Sequence, residues 1–278
     1  MTPTHSRVID SHAHLWQRSR TPQPWIDPES MAVIDQDFWT EDLVAVQAEV
    51  GIDGAILVQS SNSAQETADL LAVAGHPSVV GVVGWIDLES DVSAQLAALD
   101  SPHLVGIRHL AHQDPDHEWL LRPSVDFAAL AAAGLPFDLV VNPSQLALAA
   151  KAVASNPGTH FVLDHLGNPP IASGDLDEWR SGVVRLAALD NVSVKLSGIT
   201  LQTNWANWSV DDLRQPIDIA LDLFGPERML FGSDWPLVML ASSLSAWIEI
   251  VREVIPAEHH DAVFSGNAER VYLGEPHA

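Results

Sequence analysis

The chain has 278 residues, 47% hydrophobic and 18% charged, enough to bury a sizeable core in one large α/β domain or two small ones. Its formal net charge of -24, from 13 basic and 37 acidic residues, argues against nucleic acid and anionic membrane surfaces as partners. The absence of cysteine excludes disulfides, thiolate catalysis and cysteine-ligated zinc, and no signal peptide or spanning segment is visible beyond the short polar start, so the expected location is the cytoplasm.

Short apolar runs then alternate with helical stretches to the end of the chain. Strands are expected at 8–11, 54–59, 80–85, 104–109, 137–141, 160–164, 192–197 and 229–233. Helices are expected at 41–50, 64–74, 92–99, 125–133, 144–154, 176–189, 210–224 and 244–254. Thr40 can cap the first helix and Gly51 close it; Ser209 can cap the seventh, which Gly225-Pro226 stops. Four- to eight-residue apolar strands separated by helices pair in parallel and are buried on both faces. Eight such units in roughly 250 residues match a single-domain (β/α)8 barrel. A doubly wound open sheet is the alternative, but no GxGxxG follows the first strand. Residues 258–273 read as a C-terminal helical appendage, with Phe264 and Tyr272 packing on the barrel.

In a barrel the C-terminal ends of the strands converge on one mouth, so polar residues at those ends are candidates for a shared site. Strand one ends on Ser11-His12-Ala13-His14, and alternation sends both imidazoles to one side, as a metal-ligand or oxyanion-binding pair requires. The other strand ends contribute Gln59, Arg108 and His109, Asn142, Asp164 and His165, Lys195 and Ser197, and Asp234. Lys195 shares parity with Ser193 and Ser197 and therefore points into the barrel, toward substrate oxygens or into an ion pair with Asp138 or Asp164. Arg108 has the corresponding alternatives of substrate or a loop acid, Asp114 or Asp116; His109, of opposite parity, reads as structural. There are ten tryptophans, and Trp205 and Trp208, after strand seven, can form a stacking wall for a sugar-like ring or pack their own loop.

The words Val8-Ile9-Asp10-Ser11-His12-Ala13-His14, Phe161-Val162-Leu163-Asp164-His165-Leu166-Gly167, Val194-Lys195-Leu196-Ser197-Gly198 and Leu230-Phe231-Gly232-Ser233-Asp234-Trp235-Pro236 resemble the amidohydrolase superfamily. They resemble most its branch of sugar-lactone hydrolases and 2-pyrone-4,6-dicarboxylate lactonase relatives, and Gly106-Ile107-Arg108-His109 and Phe264-Ser265-Gly266-Asn267-Ala268 also fit. The resemblance spans nearly the whole chain. It implies a metal-dependent-hydrolase barrel and hydrolytic opening of a small lactone, sugar-derived or carboxylated. Amide hydrolysis, non-oxidative decarboxylation and a non-catalytic barrel binding a small acid are the alternatives.

Three departures from that pattern matter. Strand five ends Val140-Val141-Asn142-Pro143 without the histidine that metal-binding relatives place there, and strand four ends on the cation Arg108. Asn168 stands where many relatives of the branch carry lysine. The resemblance therefore implies either no required cofactor or one divalent ion, zinc, on His12, His14 and Asp234. Asp234 is the expected base for water, with His12, His14 and His165 stabilising the oxyanion. Arg108, Lys195, Gln59, Trp205 and Trp208 are the expected substrate contacts. The expected partner is a small-molecule lactone; oligomeric state is left open.

Overall fold

The computed structural model describes residues 7–274; the polar segment 1–6 and the end of the C-terminal appendage, 275–278, lie outside the described residues. Strands β1 (Ile9–Ala13), β2 (Gly54–Val58), β3 (Val79–Gly84), β4 (Leu104–His109), β5 (Phe137–Leu139), β6 (Phe161–Leu163), β7 (Val192–Leu196) and β8 (Met229–Phe231) form one parallel sheet in sequence order. Between and after them lie α1 (Thr40–Val50), α2 (Ala64–Val73), α3 (Val92–Leu99), α4 (Phe127–Ala133), α5 (Leu146–Ser155), α6 (Asp177–Ala187), α7 (Val210–Phe224) and α8 (Leu244–Val254). This is the single-domain (β/α)8 barrel expected from the alternation. Strands β5 and β8 stop two residues short of expectation, and β6 one, because their last residues already turn into the mouth loops. No described helix is long and apolar enough to cross a membrane.

Outward-facing strand residues such as Phe137, Phe161, Val194 and Phe231 pack against the helices, where Trp179 and Trp247 are also fully buried. Each large apolar side chain so buried contributes about 1.5–3 kcal/mol. A smaller apolar cluster fills the barrel itself, built from Ile9, Ile56, Val83, Val162 and Leu230 and closed by Ala268 and Tyr272 of the C-terminal segment. Of the two aromatic residues expected to pack on the barrel, Phe264 lies outside against Phe231, with ring centroids 4.9 Å apart. Tyr272 goes further and enters the interior.

A register shift between Asp10 and Ala13 places three steps of β1 against two of β2. Such a bulge moves side chains to the other face. It lets Ile9 join the interior cluster while His12, further along, also meets the interior charges and Ala13 faces the helices.

Candidate active site

The barrel closes between β1 and β8 at its mouth. There the His14 N–H donates to the Trp235 carbonyl (2.7 Å) and the Asp234 N–H to the His12 carbonyl (2.8 Å). The Asp10 carboxylate binds the same seam from within, accepting from the His12 N–H (3.0 Å), the Ser233 N–H (2.8 Å) and the Ser233 hydroxyl. Burial outweighs these bonds and pushes the Asp10 carboxyl up to about 6. Asp234 sits in the left-handed region (φ 56), which Asp tolerates better than bulkier residues. Its Oδ1 comes within 3.1 Å of His14 Nε2 and 3.7 Å of His12 Nε2.

His165 is presented differently. Four consecutive residues after Asp164 have positive φ: His165 (55), Leu166 (53), Gly167 (74) and Asn168 (55). A left-handed conformation costs a non-glycine residue about 1–2 kcal/mol, so the surroundings must hold this turn. Trp179 Nε1–H donates to the Leu166 carbonyl (2.6 Å), and Asn168 Nδ2–H to the Val141 carbonyl (2.9 Å). Leu166 itself is fully buried. His165 Nδ1 meets Ser197 Oγ at 3.0 Å, and burial lowers the imidazole's pKa, keeping it neutral. Beside it, a Cβ on Gly198 (φ 62) would fall 2.4 Å from His165 Nδ1 and 2.8 Å from Asp234 Oδ2. Only glycine fits that place.

Beneath the mouth lies a buried layer of charge. Arg108 donates from one terminal nitrogen to Asp164 Oδ2 (2.9 Å) and from the other to the Gln59 carbonyl, and the first is also 3.2 Å from His12 Nε2. Lys195 Nζ reaches Asp138 Oδ2 (2.5 Å) and lies 3.2 Å from both Asp164 Oδ1 and His12 Nδ1. Burial alone would raise Asp164, but Lys195, His12 and Arg108 together hold its pKa well below the usual carboxylate range. Burial keeps His12 neutral, its pKa well below the usual imidazole value. Arg108 pairs with neither loop acid, because Asp114 goes to His109 and Asp116 to Arg122. His109 is structural as read, stacked on Trp119 at 3.8 Å with its Nδ1 accepting from Trp85 Nε1–H.

Above this layer opens a cavity of about 290 Å³, near the lower end for small-molecule sites. His14, Arg108, His165 and Asp234 line it; His12 lies behind them. The expected contacts Lys195, Gln59, Trp205 and Trp208 do not line it. Lys195 is fully buried in its ion pairs, and Gln59 is spent on the Arg108 carbonyl (3.0 Å). Trp205 and Trp208 donate to the carbonyls of Leu201 and Ala241 in their own and the next loop. The aromatic wall is instead Trp25, from the loop after β1, which the tryptophan count hinted at without locating. Asn142, Asn168, Gln113, Gln202 and Ser60 add neutral polar groups, and burial and then Arg108 lower the His112 pKa to about 4.

Three side chains are spaced to hold a single metal ion, with the Arg108 guanidinium, 3.2 Å from His12 Nε2, as a competing cation. His14 Nδ1–H donates to the Val58 carbonyl (2.7 Å), so its Nε2 carries a lone pair. That atom faces Asp234 Oδ1 at 3.1 Å and His12 Nε2 at 3.2 Å. Ligands about 2.0–2.2 Å from a tetrahedral zinc are separated by about 3.3 Å, which matches these spacings. Asp164 Oδ1, 3.4 Å from His12 Nδ1 and without a hydrogen bond, is placed as the carboxylate that orients a ligating imidazole. His165 falls within ligand distance of His12 and Asp234 as well.

The amidohydrolase family model matches residues 9–273. The chain is 35% identical to L-fucono-1,5-lactonase of Burkholderia ambifaria, over 97% of this chain and 98% of that protein. A crystal structure of an amidohydrolase from Burkholderia multivorans with bound zinc superposes with a TM-score of 0.89 at 32% identity, covering 96% and 99% of the two chains. A Pseudomonas putida structure named as a putative 2-pyrone-4,6-dicarboxylic acid hydrolase, at 20% identity and a TM-score of 0.76 over 99% and 100% of the chains, shares the fold. With the barrel, the ordered strand-end residues and these matches together, the chain belongs to the amidohydrolase family.

Proposed function

We propose that this protein is a lactonase that opens the ring of a small uncharged lactone, sugar-derived rather than carboxylated. The charge of the cavity carries the reading. Arg108, the only lysine or arginine among its described lining residues, is committed to Asp164 and the Gln59 carbonyl, so no free cation awaits a substrate carboxylate. The carboxamides around it suit hydroxyl groups, and Trp25 offers a flat apolar face to a sugar ring. The full-length similarity to an L-fucono-1,5-lactonase supports the same class.

In this mechanism a water in the cavity attacks the lactone carbonyl carbon while Asp234 accepts its proton. Asp234 Oδ1 is turned to His14, which leaves Oδ2, beside Gly198 and His165, to act as base. His165 faces the same space and stabilises the negative charge that develops on the carbonyl oxygen, with the Arg108 charge acting through space from its place on Asp164. The ring C–O bond then breaks, and Asp234 returns the proton to the leaving oxygen. His12 and His14 hold Asp234 in place. The metal proposed here is one divalent ion at most, zinc, on His12, His14 and Asp234; bound there, it supplies Lewis-acid polarisation and a more acidic water.

Ring opening yields a carboxylic acid, so a lactone panel followed with a pH indicator, together with zinc analysis of the purified protein, tests the proposal. Acid release from sugar lactones with no more than one zinc per chain is expected. Carbon dioxide release from aromatic acids without turnover of any lactone would contradict it.

A further inference from the structure

The C-terminal segment contributes one side chain to the polar layer under the site. Tyr272, the only tyrosine in the chain, enters the barrel interior from the end opposite the cavity and is buried. Its hydroxyl donates to Asp138 Oδ1 at 2.6 Å, while Asp138 Oδ2 accepts from Lys195 at 2.5 Å. The Lys195 ammonium also stands 5.3 Å over the Tyr272 ring, and its remaining neighbours are Asp164 Oδ1 and His12 Nδ1, each at 3.2 Å. A continuous column thus runs from the C-terminal segment through Asp138 and Lys195 to the imidazole that backs Asp234. The two carboxylates and two cations in this layer, Asp138, Asp164, Lys195 and Arg108, balance in charge, so each has a defined place only while its partners keep theirs.

We propose that Tyr272 is a positioning residue for the lactonase reaction, fixing the His12 ring through Asp138 and Lys195. The inference rests on the reading of His12 as part of the site. Without the hydroxyl, Asp138 Oδ1 is a buried carboxylate oxygen lacking its donor; the carboxylate turns to find another, Lys195 follows, and the contacts that orient His12 and Asp164 loosen. Tyr272 does not line the cavity, so substrate binding is untouched.

Tyr272→Phe is the test, because it keeps the ring over Lys195 and removes only the hydroxyl. The expected result is a kcat roughly tenfold lower with KM unchanged. NMR of the histidine rings, recorded on the protein without substrate, is expected to show the His12 resonances moved and those of His109 unmoved. An unmoved His12 resonance overturns the inference whatever turnover does, and so does a raised KM at constant kcat. A moved resonance with wild-type turnover also overturns it, and in addition removes His12 from the chemistry, which separates failure of the site reading from failure of the column. Asp138→Asn, nearly the same shape with one charge fewer, gives the same two readouts if the phenylalanine variant folds poorly.

Discussion

The two sides of the cavity are built on different principles. Toward β1, β6, β7 and β8 the backbone is over-determined: a bulge, a seam closed by Asp10, a left-handed turn and a glycine without room for a Cβ. That side carries His14, His165 and Asp234. Toward β4 and β5, apart from Arg108 held in its ion pair at the end of β4, the lining is Leu110, His112, Gln113, Val140 and Asn142, side chains without charge on or beside loops. Strain is tolerated where reacting groups need one geometry, whereas recognition sits on uncharged residues of the loops.

Substitutions on each side can break this division. Asp234→Asn should lower kcat by roughly 10²–10⁴-fold with KM little changed, because the amide cannot take the proton of water; steady-state kinetics on the best lactone checks it, and near-normal turnover refutes the base. Lys195→Met leaves Asp138 and Asp164 as buried carboxylates short of a cation, and a loss of about 3–5 kcal/mol is expected in denaturant unfolding. A higher KM at full stability would instead restore Lys195 as a substrate contact. Gly198→Ala must displace His165 and Asp234, and a kcat about 10²-fold lower is expected. On the opposite side, Asn142→Ala should raise KM by roughly 3–10-fold, the loss of one neutral hydrogen bond, and leave kcat nearly intact. A collapse of kcat in that variant would erase the distinction between the two sides.

The alternation of apolar strands with capped helices was enough to read the barrel, because that pattern is set by local burial on both faces of a parallel sheet. Ser209 caps α7 as read, with Asp212 accepting from its N–H (2.7 Å); α1 is capped in reverse, by Asp42 accepting from the Trp39 N–H (2.9 Å). At the site, the HxH pair and the strand-end Asp234 were legible because strand ends in a barrel share one mouth. The depth of each polar residue was not. Parity sends Lys195 inward, but how far its stem carries the ammonium, and that Asp138 and Tyr272 wait for it below the cavity, depends on barrel packing. Gly198 and the turn at His165 were likewise hidden, since backbone sign is not written in residue type except as glycine. Among ten tryptophans, only loop conformation decides that Trp25 reaches the cavity while Trp205 and Trp208 bind their loops.

The central claim is that a cavity with no uncommitted cation hydrolyses neutral lactones. The most direct measurement compares kcat/KM of the wild-type protein for L-fucono-1,5-lactone and for 2-pyrone-4,6-dicarboxylate. A carboxylate desolvated there without a partner costs several kcal/mol, so the sugar lactone should be favoured by at least about 100-fold. Equal or faster opening of the dicarboxylate would contradict the account, because it would require Arg108 to leave Asp164 for the substrate.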